Sequence, residues 1–483
     1  MLGERIQRGL LHRERWVRAV TVLALCLAAG VPVGAILGLL GAIYGSAVLF
    51  ALALAYLMMR SITVGLIVLA GIICLLPFAA VPIDIGFSPT FLDLALALVF
   101  FVWISRLVTH KEGEFIAPVP TGAILVFMGL ALVSFIAGLS HSPLTANVVR
   151  HFVEILLSVA VFWLVTNTLR RAQDVRLVTL ALILAGFAAA AIGIVLYVLP
   201  ETLAIRVLSA LRVVRYPSGP EVLRYVEDDP SLPLRAISTS VDPNILGGML
   251  IFVTTLTAAQ VLAPQPILKR GWLILMLVTM VTCMVLTFSR GSFAGLVVAL
   301  VLLSALRYPK MLWYILAGIV VLLVLPPSRA YVEHFIEGVQ GQDLATQMRF
   351  GEYKDALILI SRYPWFGVGF AGTPDIDTYL GVSNVYLLIA EEMGVIGLSA
   401  FLVAMGSFLH GFFARLALWR RRPDLEPIVL GAGLAVVGAL IGGILDHYLF
   451  NLNFPHAAAL LWFVVGLGAA GMRLIGLEPR PAP

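Results

Sequence analysis

Charge is scarce in this sequence. Asp, Glu, Lys and Arg make up 12% of its 483 residues, which excludes an ordinary soluble domain, where about a quarter of residues are charged. Cysteine is scarcer still. Cys26, Cys74 and Cys283 each lie inside an apolar stretch with no metal-like spacing, so neither a disulfide framework nor a zinc site is expected. The chain also lacks an internal repeat, a low-complexity tract and a separable soluble segment. What it has in abundance is apolar surface: 61% hydrophobic residues and a mean hydropathy of +1.02. A formal charge of +5 would suggest nucleic acid in a soluble protein, but here the basic residues sit between apolar runs. They report membrane topology instead, and no nucleic-acid partner is expected.

With about 20 apolar residues per crossing, spans are expected near 18–38, 42–58, 62–78, 90–107, 120–139, 150–167, 177–198, 244–262, 271–288, 291–306, 311–326, 395–414, 427–446 and 456–473. The first apolar run follows Arg5, Arg8, Arg13 and Arg15 and continues to Met58, too long for the core of a cleaved signal; it reads as a retained hairpin. The fold class expected is therefore all-α, a polytopic transmembrane bundle of about 12–14 helices in one integral membrane domain over 1–483. An even number of crossings puts both termini on one side, and the clustering of Arg60, Arg106, Arg170, Arg171, Arg176, Lys269, Arg270, Arg307 and Arg420 to Arg422 makes that side cytoplasmic. Among short outer connections only those with Arg150 and Arg290 carry basic residues. Two long extracytoplasmic loops interrupt the pattern, 201–241 and 327–382. Both contain stretches of helical apolar spacing, Leu203 to Val214 and Gln347 to Arg362, suited to helices lying on the outer membrane surface.

Three glycines, Gly367, Gly369 and Gly372, match dinucleotide-fingerprint spacing, but no strand–helix unit surrounds them. A tight turn against membrane or ligand is the expectation there. The arginines are more informative. Arg290 stands in "TFSRGSFAG" at a very short turn beside Ser289, and Arg235 shortly precedes Asp242, Pro243 and Asn244, which read as N-cap, first-turn proline and first turn of a span. The topology brings Arg235, Arg290 and Arg349 to one membrane face, where guanidinium groups suit bidentate contact with a lipid diphosphate. Snorkelling to headgroups is the competing account of such an arginine. Glu154 is placed to pair with Arg150 one turn earlier, a structural reading.

Four ordered blocks, "RAISTSVDPNILGG", "TFSRGSFAG", "RFGEYKDALILISRYPWFGVGF" and "SNVYLLIAEEMGVIG", resemble the O-antigen ligase and polymerase superfamily, membrane glycosyltransferases that use undecaprenyl-diphosphate-linked glycans. The resemblance covers the C-terminal half, from Arg235 onward. It implies a bacterial inner-membrane enzyme, multi-pass with both termini cytoplasmic. Its partners would be a lipid-linked glycan donor, a glycan or lipid-linked acceptor, and membrane lipids. It implies Arg290 and Arg235 as catalytic groups, with Arg349, Ser289, Asn244, Ser383 and Asn384 binding substrate. One position departs from the family: Ser383 stands where many members have a histidine, the favoured activator of the acceptor hydroxyl. His334, in the same long loop, is the third candidate catalytic residue; His141, His151, His447 and His456 are the other outer-side histidines. Asp84, Glu333, Asp375, Asp377 and Glu391 are acidic alternatives among which the sequence does not choose. Outside the cytoplasm nucleotide sugars are not expected, so a transferase there needs a membrane-activated donor whose diphosphate leaves on arginine charge. No metal and no cofactor are then required. The missing histidine favours a polymerase over a ligase acting on lipid A core, and the competing class is a transporter or flippase of an anionic lipid or solute.

Overall fold

Where a backbone is surrounded by hydrocarbon it must satisfy its own N–H and C=O groups, and the apolar runs of this chain do so as helices. The computed structural model describes residues 7–8, 10–12, 14–84, 86–110, 114–140, 144–324, 340, 344–370, 372 and 381–476. His141, Glu333, His334, Asp375 and Asp377 lie outside the described residues. Among the described residues, eight helical segments are long and apolar enough to cross a membrane and six more are apolar but shorter. They belong to an all-α, polytopic membrane protein.

The chain divides into two compact units, Met1–Val64 and Gly65–Pro483. In the first, helix α1 (Arg15–Arg60) is broken at Gly41, whose φ of 76° is open to glycine but strained for other residues. A Cβ on Gly45 would lie 2.9 Å from Leu37 Cα, so the apolar halves Trp16–Leu39 and Gly45–Arg60 fold back on each other as a hairpin.

The second unit begins within the short helix α2 (Ile62–Leu75) and runs through α3 (Phe91–Val108), α4 (Thr121–Gly138), α5 (Ala146–Thr168) and α6 (Ala172–Val198). After the first long connection come α8 (Pro243–Val261), α9 (Arg270–Leu286), α10 (Arg290–Leu306) and α11 (Met311–Val324), with α7 (Glu201–Ala210) inside that connection. The chain ends with α12 (Leu344–Arg362), α13 (Val385–Phe413), α14 (Glu426–Gly442) and α15 (Pro455–Gly476). Helix α14 sits centrally, packed against α8, α10 and α15, while α15 packs on α5 and α13 on α4 and α12. Small residues let α10 and α14 touch. Gly291 and Gly295 on one face Gly438 and Gly442 on the other, and a Cβ on Gly438 would stand 2.7 Å from the Gly295 carbonyl oxygen. That approach holds Arg290, the first residue of α10, beside the chain leaving α14: a Cβ on Gly291 would be 3.0 Å from Leu445 Cβ.

Two details differ from the sequence reading. The connection before α8 holds a minimal antiparallel ladder, β1 (Arg224–Tyr225) against β2 (Leu234–Arg235), with Arg224 opposite Arg235. Helix α13 starts ten residues ahead of the expected span, because Asn384 caps it and the buried Glu391 and Glu392 are carried inside it. Helix α7 buries Ala204 and Leu208 against Leu196 and Ile237, while Leu203 and Val207 remain exposed.

Near the start of α5, Arg150 sits in a cluster of carboxylates. Arg150 Nη1 lies 2.7 Å from Asp93 Oδ2 and 3.3 Å from Glu154 Oε2, and Thr90 Oγ1 donates to Glu154 Oε1 at 3.3 Å. Thr90 and Asp93 also form a capping box at the start of α3.

Candidate functional site

The short turn between α9 and α10 is the centre of the site. Arg235, half-buried on β2, donates from Nε to the Thr287 carbonyl at 2.8 Å and from Nη2 to Asn244 Oδ1 at 2.8 Å. Thr287 precedes Arg290 by three residues, so Arg235 is anchored to the turn that leads into Arg290. Asn244 is itself fixed at the start of α8, where Asp242 caps the helix by accepting from the Asn244 and Ile245 N–H groups at 2.7 and 3.2 Å. Ser289 and Ser292 are buried and linked Oγ to Oγ at 3.0 Å, and Ser292 Oγ reaches the Asn244 carbonyl at 3.5 Å. Asn244 and Ser289 thus meet around the arginines.

Backbone strain marks both approaches to this turn. Val241 has φ 61° just before the α8 cap, and Phe288 has φ 53° two residues before Arg290. A β-branched and a bulky aromatic residue are unfavourable there by about 1–3 kcal/mol each, and such strain persists where surrounding contacts over-determine it.

One face of α12 closes over the turn. Thr346, Arg349, Tyr353 and Ala356 follow helical spacing along it. Thr346 Oγ1 accepts from Arg290 Nη2 at 3.3 Å, and Ala356 is buried with Val382 and Leu388. Tyr353 donates towards the Ser383 and Ile444 carbonyls, each at 3.4 Å, while Glu352 Oε2 accepts the Ser383 N–H at 2.9 Å. The Ser383–Asn384 segment is therefore held by α12 on one side. On the other it joins the chain leaving α14: Asn384 Nδ2 donates to the Ile444 carbonyl at 2.9 Å, and the Val385 N–H to the Gly443 and Asp446 carbonyls, both at 2.9 Å. The Asn384 Oδ1 accepts the Tyr386 and Leu387 N–H groups, so its amide both caps α13 and ties it to the chain leaving α14.

Sequence reasoning passed over Asp446. It stood at the end of an expected apolar span, 427–446, but α14 stops at Gly442 and the aspartate belongs to the turn beyond. An acidic residue at the end of an apolar span, next to His447, was the available signal. Its side chain is buried, Oδ1 accepts the His447 N–H at 2.9 Å, and His447 Nδ1 lies 3.5 Å away. Burial, reinforced by Asp242, pushes the Asp446 carboxyl above the usual range, and His447 and Arg349 pull it back. Burial likewise lowers the Arg235 guanidinium, opposed by Asp242, Asp446 and Asp228 and assisted by Arg349. These mutual influences put Arg235, Arg349, Asp242 and Asp446 in one electrostatic neighbourhood.

The glycine turn has a different partner from membrane or ligand. Val368 and Gly369 donate to the Glu391 and Glu392 carbonyls at 2.8 and 3.0 Å, and Val395 donates to the Pro364 carbonyl at 2.8 Å. Residues 364–369 thereby supply the partners that α13 loses at Gly394, where φ is 69°. Of the other candidate histidines, His151 lies on α5 beside the Arg150 cluster, and His456 is buried at the start of α15 against Phe78 at 4.9 Å between ring centres.

Because α12 holds Ser383 through its N–H and carbonyl, Ser383→Ala leaves those contacts intact. Its expected effect is a rate within about threefold of the parent, the size of one weak hydrogen bond. An initial-rate assay that finds transfer abolished in a folded Ser383→Ala variant would require a role for the hydroxyl.

Residues 275–402 match the family model Wzy_C, described as O-antigen ligase. That stretch contains Arg290, Arg349, Ser383 and Asn384; Arg235, Asn244 and Asp446 lie outside it. A search of curated proteins gives no match. The match over 275–402 supports the resemblance of this part of the chain to the O-antigen ligase/polymerase superfamily.

Proposed function

We propose that the chain is a membrane glycosyltransferase that moves a glycan from an undecaprenyl-diphosphate-linked donor to a sugar hydroxyl, as a polymerase of O-antigen or exopolysaccharide. The observation that carries the reading is the anchoring of Arg235 to the turn that leads into Arg290, through its bond to the Thr287 carbonyl three residues ahead of Arg290. Glycosyl transfer from such a donor releases a diphosphate, and preorganised guanidinium groups stabilise that charge as it develops. Arg235 is held by two hydrogen bonds and Arg290 by α12 and the α10–α14 contact, so little reorganisation accompanies reaction. Charge compensation by arginine also needs no divalent ion. Serine in place of the family's histidine at 383 favours polymerase over ligase.

The test uses purified chain in detergent with a fluorescent undecaprenyl-diphosphate-linked glycan and acceptor, with and without a chelator. A new glycosidic bond at a chelator-independent rate is expected. Donor binding without bond formation would instead favour a transporter or flippase, and transfer to lipid A core alone a ligase.

The same reading puts the arginine turn on the extracytoplasmic face of a bacterial inner membrane and both termini in the cytoplasm. In a Cys26→Ser background, a cysteine at the exposed Asp229 is expected to label with an impermeant thiol reagent in intact cells, as is one at Gly341. One at Leu418 is expected to label after permeabilisation. Labelling of Leu418→Cys from outside would reverse the orientation.

A further inference from the structure

We propose that Asp446 is the residue that takes the proton from the acceptor hydroxyl, the role left vacant by Ser383; this rests on the glycosyl-transfer reading above. The placement is specific. The Asp446 carbonyl accepts the Val385 N–H at 2.9 Å, and the neighbouring Ile444 carbonyl accepts Asn384 Nδ2 at 2.9 Å, so the turn after α14 is locked to the segment that holds Ser383. The turn that carries Asp446 is thereby held beside the segment that carries Ser383.

Its surroundings fit the task. Asp446 is 5% exposed, and Oδ1 is held by the His447 N–H, which leaves the second oxygen to accept from a substrate hydroxyl. Among the described residues no arginine or lysine closes an ion pair on it; its charged or titratable neighbours are Asp242, Arg235, Arg349, Tyr353, His447 and Tyr448. A carboxylate permanently paired with an arginine would be a poor base, whereas one buried beside a second acid, Asp242, is a stronger one than a carboxylate in water. Glu352, on α12, already spends Oε2 on the Ser383 N–H.

In the step itself, the acceptor O–H proton passes to Asp446 as the hydroxyl oxygen forms its bond to the anomeric carbon. The bond from that carbon to the diphosphate oxygen breaks, and its electron pair leaves on the diphosphate at Arg290 and Arg235. The proton on Asp446 then exchanges with solvent.

The experiment measures initial rates against pH for the full chain with an undecaprenyl-diphosphate-linked glycan donor and its acceptor. Asp446→Asn is expected to lower kcat on the order of 100-fold or more with donor KM unchanged, and Asp446→Glu to restore much of the rate. In wild type the rate falls as pH drops through the Asp446 pKa, since the base must be ionised; that acid limb is expected to vanish in Asp446→Asn and to shift in Asp446→Glu. A merely structural aspartate would leave the limb in place. If Asp446→Asn fails to fold, the Asp446→Glu profile decides alone, and an unmoved limb overturns the assignment. Transfer by Asp446→Asn within about tenfold of wild type overturns it too, as does an acid limb that disappears in His447→Gln and persists in Asp446→Asn. A wild-type chain that binds donor and forms no bond would overturn the glycosyl-transfer reading as well.

Discussion

Arg290→Lys is expected to slow glycosidic bond formation by about 30- to 1000-fold at saturating donor, a loss of about 2–4 kcal/mol of transition-state stabilisation. Charge is conserved in that change, so the size of the effect reports geometry. A guanidinium offers a planar fork that engages two phosphate oxygens together, and a point ammonium does not reproduce it. Arg235→Lys is expected to fall in the same range for a second reason: Arg235 uses Nε on the Thr287 carbonyl and Nη2 on Asn244, and lysine has one nitrogen for both. Snorkelling arginines behave otherwise, since either cation reaches headgroups. Initial rates for purified, folded Arg290→Lys and Arg235→Lys near the wild-type value would remove the diphosphate role and leave the enzyme reading to the family match over 275–402 alone.

The helical architecture was legible because hydrocarbon permits so few backbone solutions that apolar runs of the right length become helices. The cap at Asp242, Pro243 and Asn244 was legible for a local reason, the preference of these residue types for a helix start, and the structure places them there. So was the Arg150–Glu154 pair, one turn apart on a helix. What joins distant stretches was not. Nothing local links Arg235 to Thr287 across 52 residues, or Asn384 to Ile444 across 60. The Asp446 carboxylate was hidden by a span drawn four residues too long, because hydropathy windows blur the end of a helix. The glycines at 367 and 369 were read as a turn against something outside the protein, whereas their partner is the break in α13 at Gly394, a pairing visible only in three dimensions.

Arg150→Met separates an arginine that holds the fold from arginines that serve a substrate. Arg150 and Glu154 are nearly inaccessible, with side chains 12% and 1% exposed, and Asp93 is 18% exposed. Methionine fills much of the space of the arginine stem but leaves two carboxylates facing each other with no cation. Removing one partner of a buried ion pair typically costs about 3–5 kcal/mol, because the abandoned charge remains desolvated. A thermal-unfolding measurement in detergent is expected to show a large loss of stability, while the rate per folded molecule stays near that of wild type. Converting the carboxylates as well, in Arg150→Met with Asp93→Asn and Glu154→Gln, is expected to recover much of the stability, since the uncompensated charge is then gone. Arg290→Lys is expected to give the reverse pattern, a folded protein with a slow reaction. If Arg150→Met instead unfolds like wild type and loses transfer, Arg150 acts on the substrate, and the division between structural and substrate-bound arginines falls.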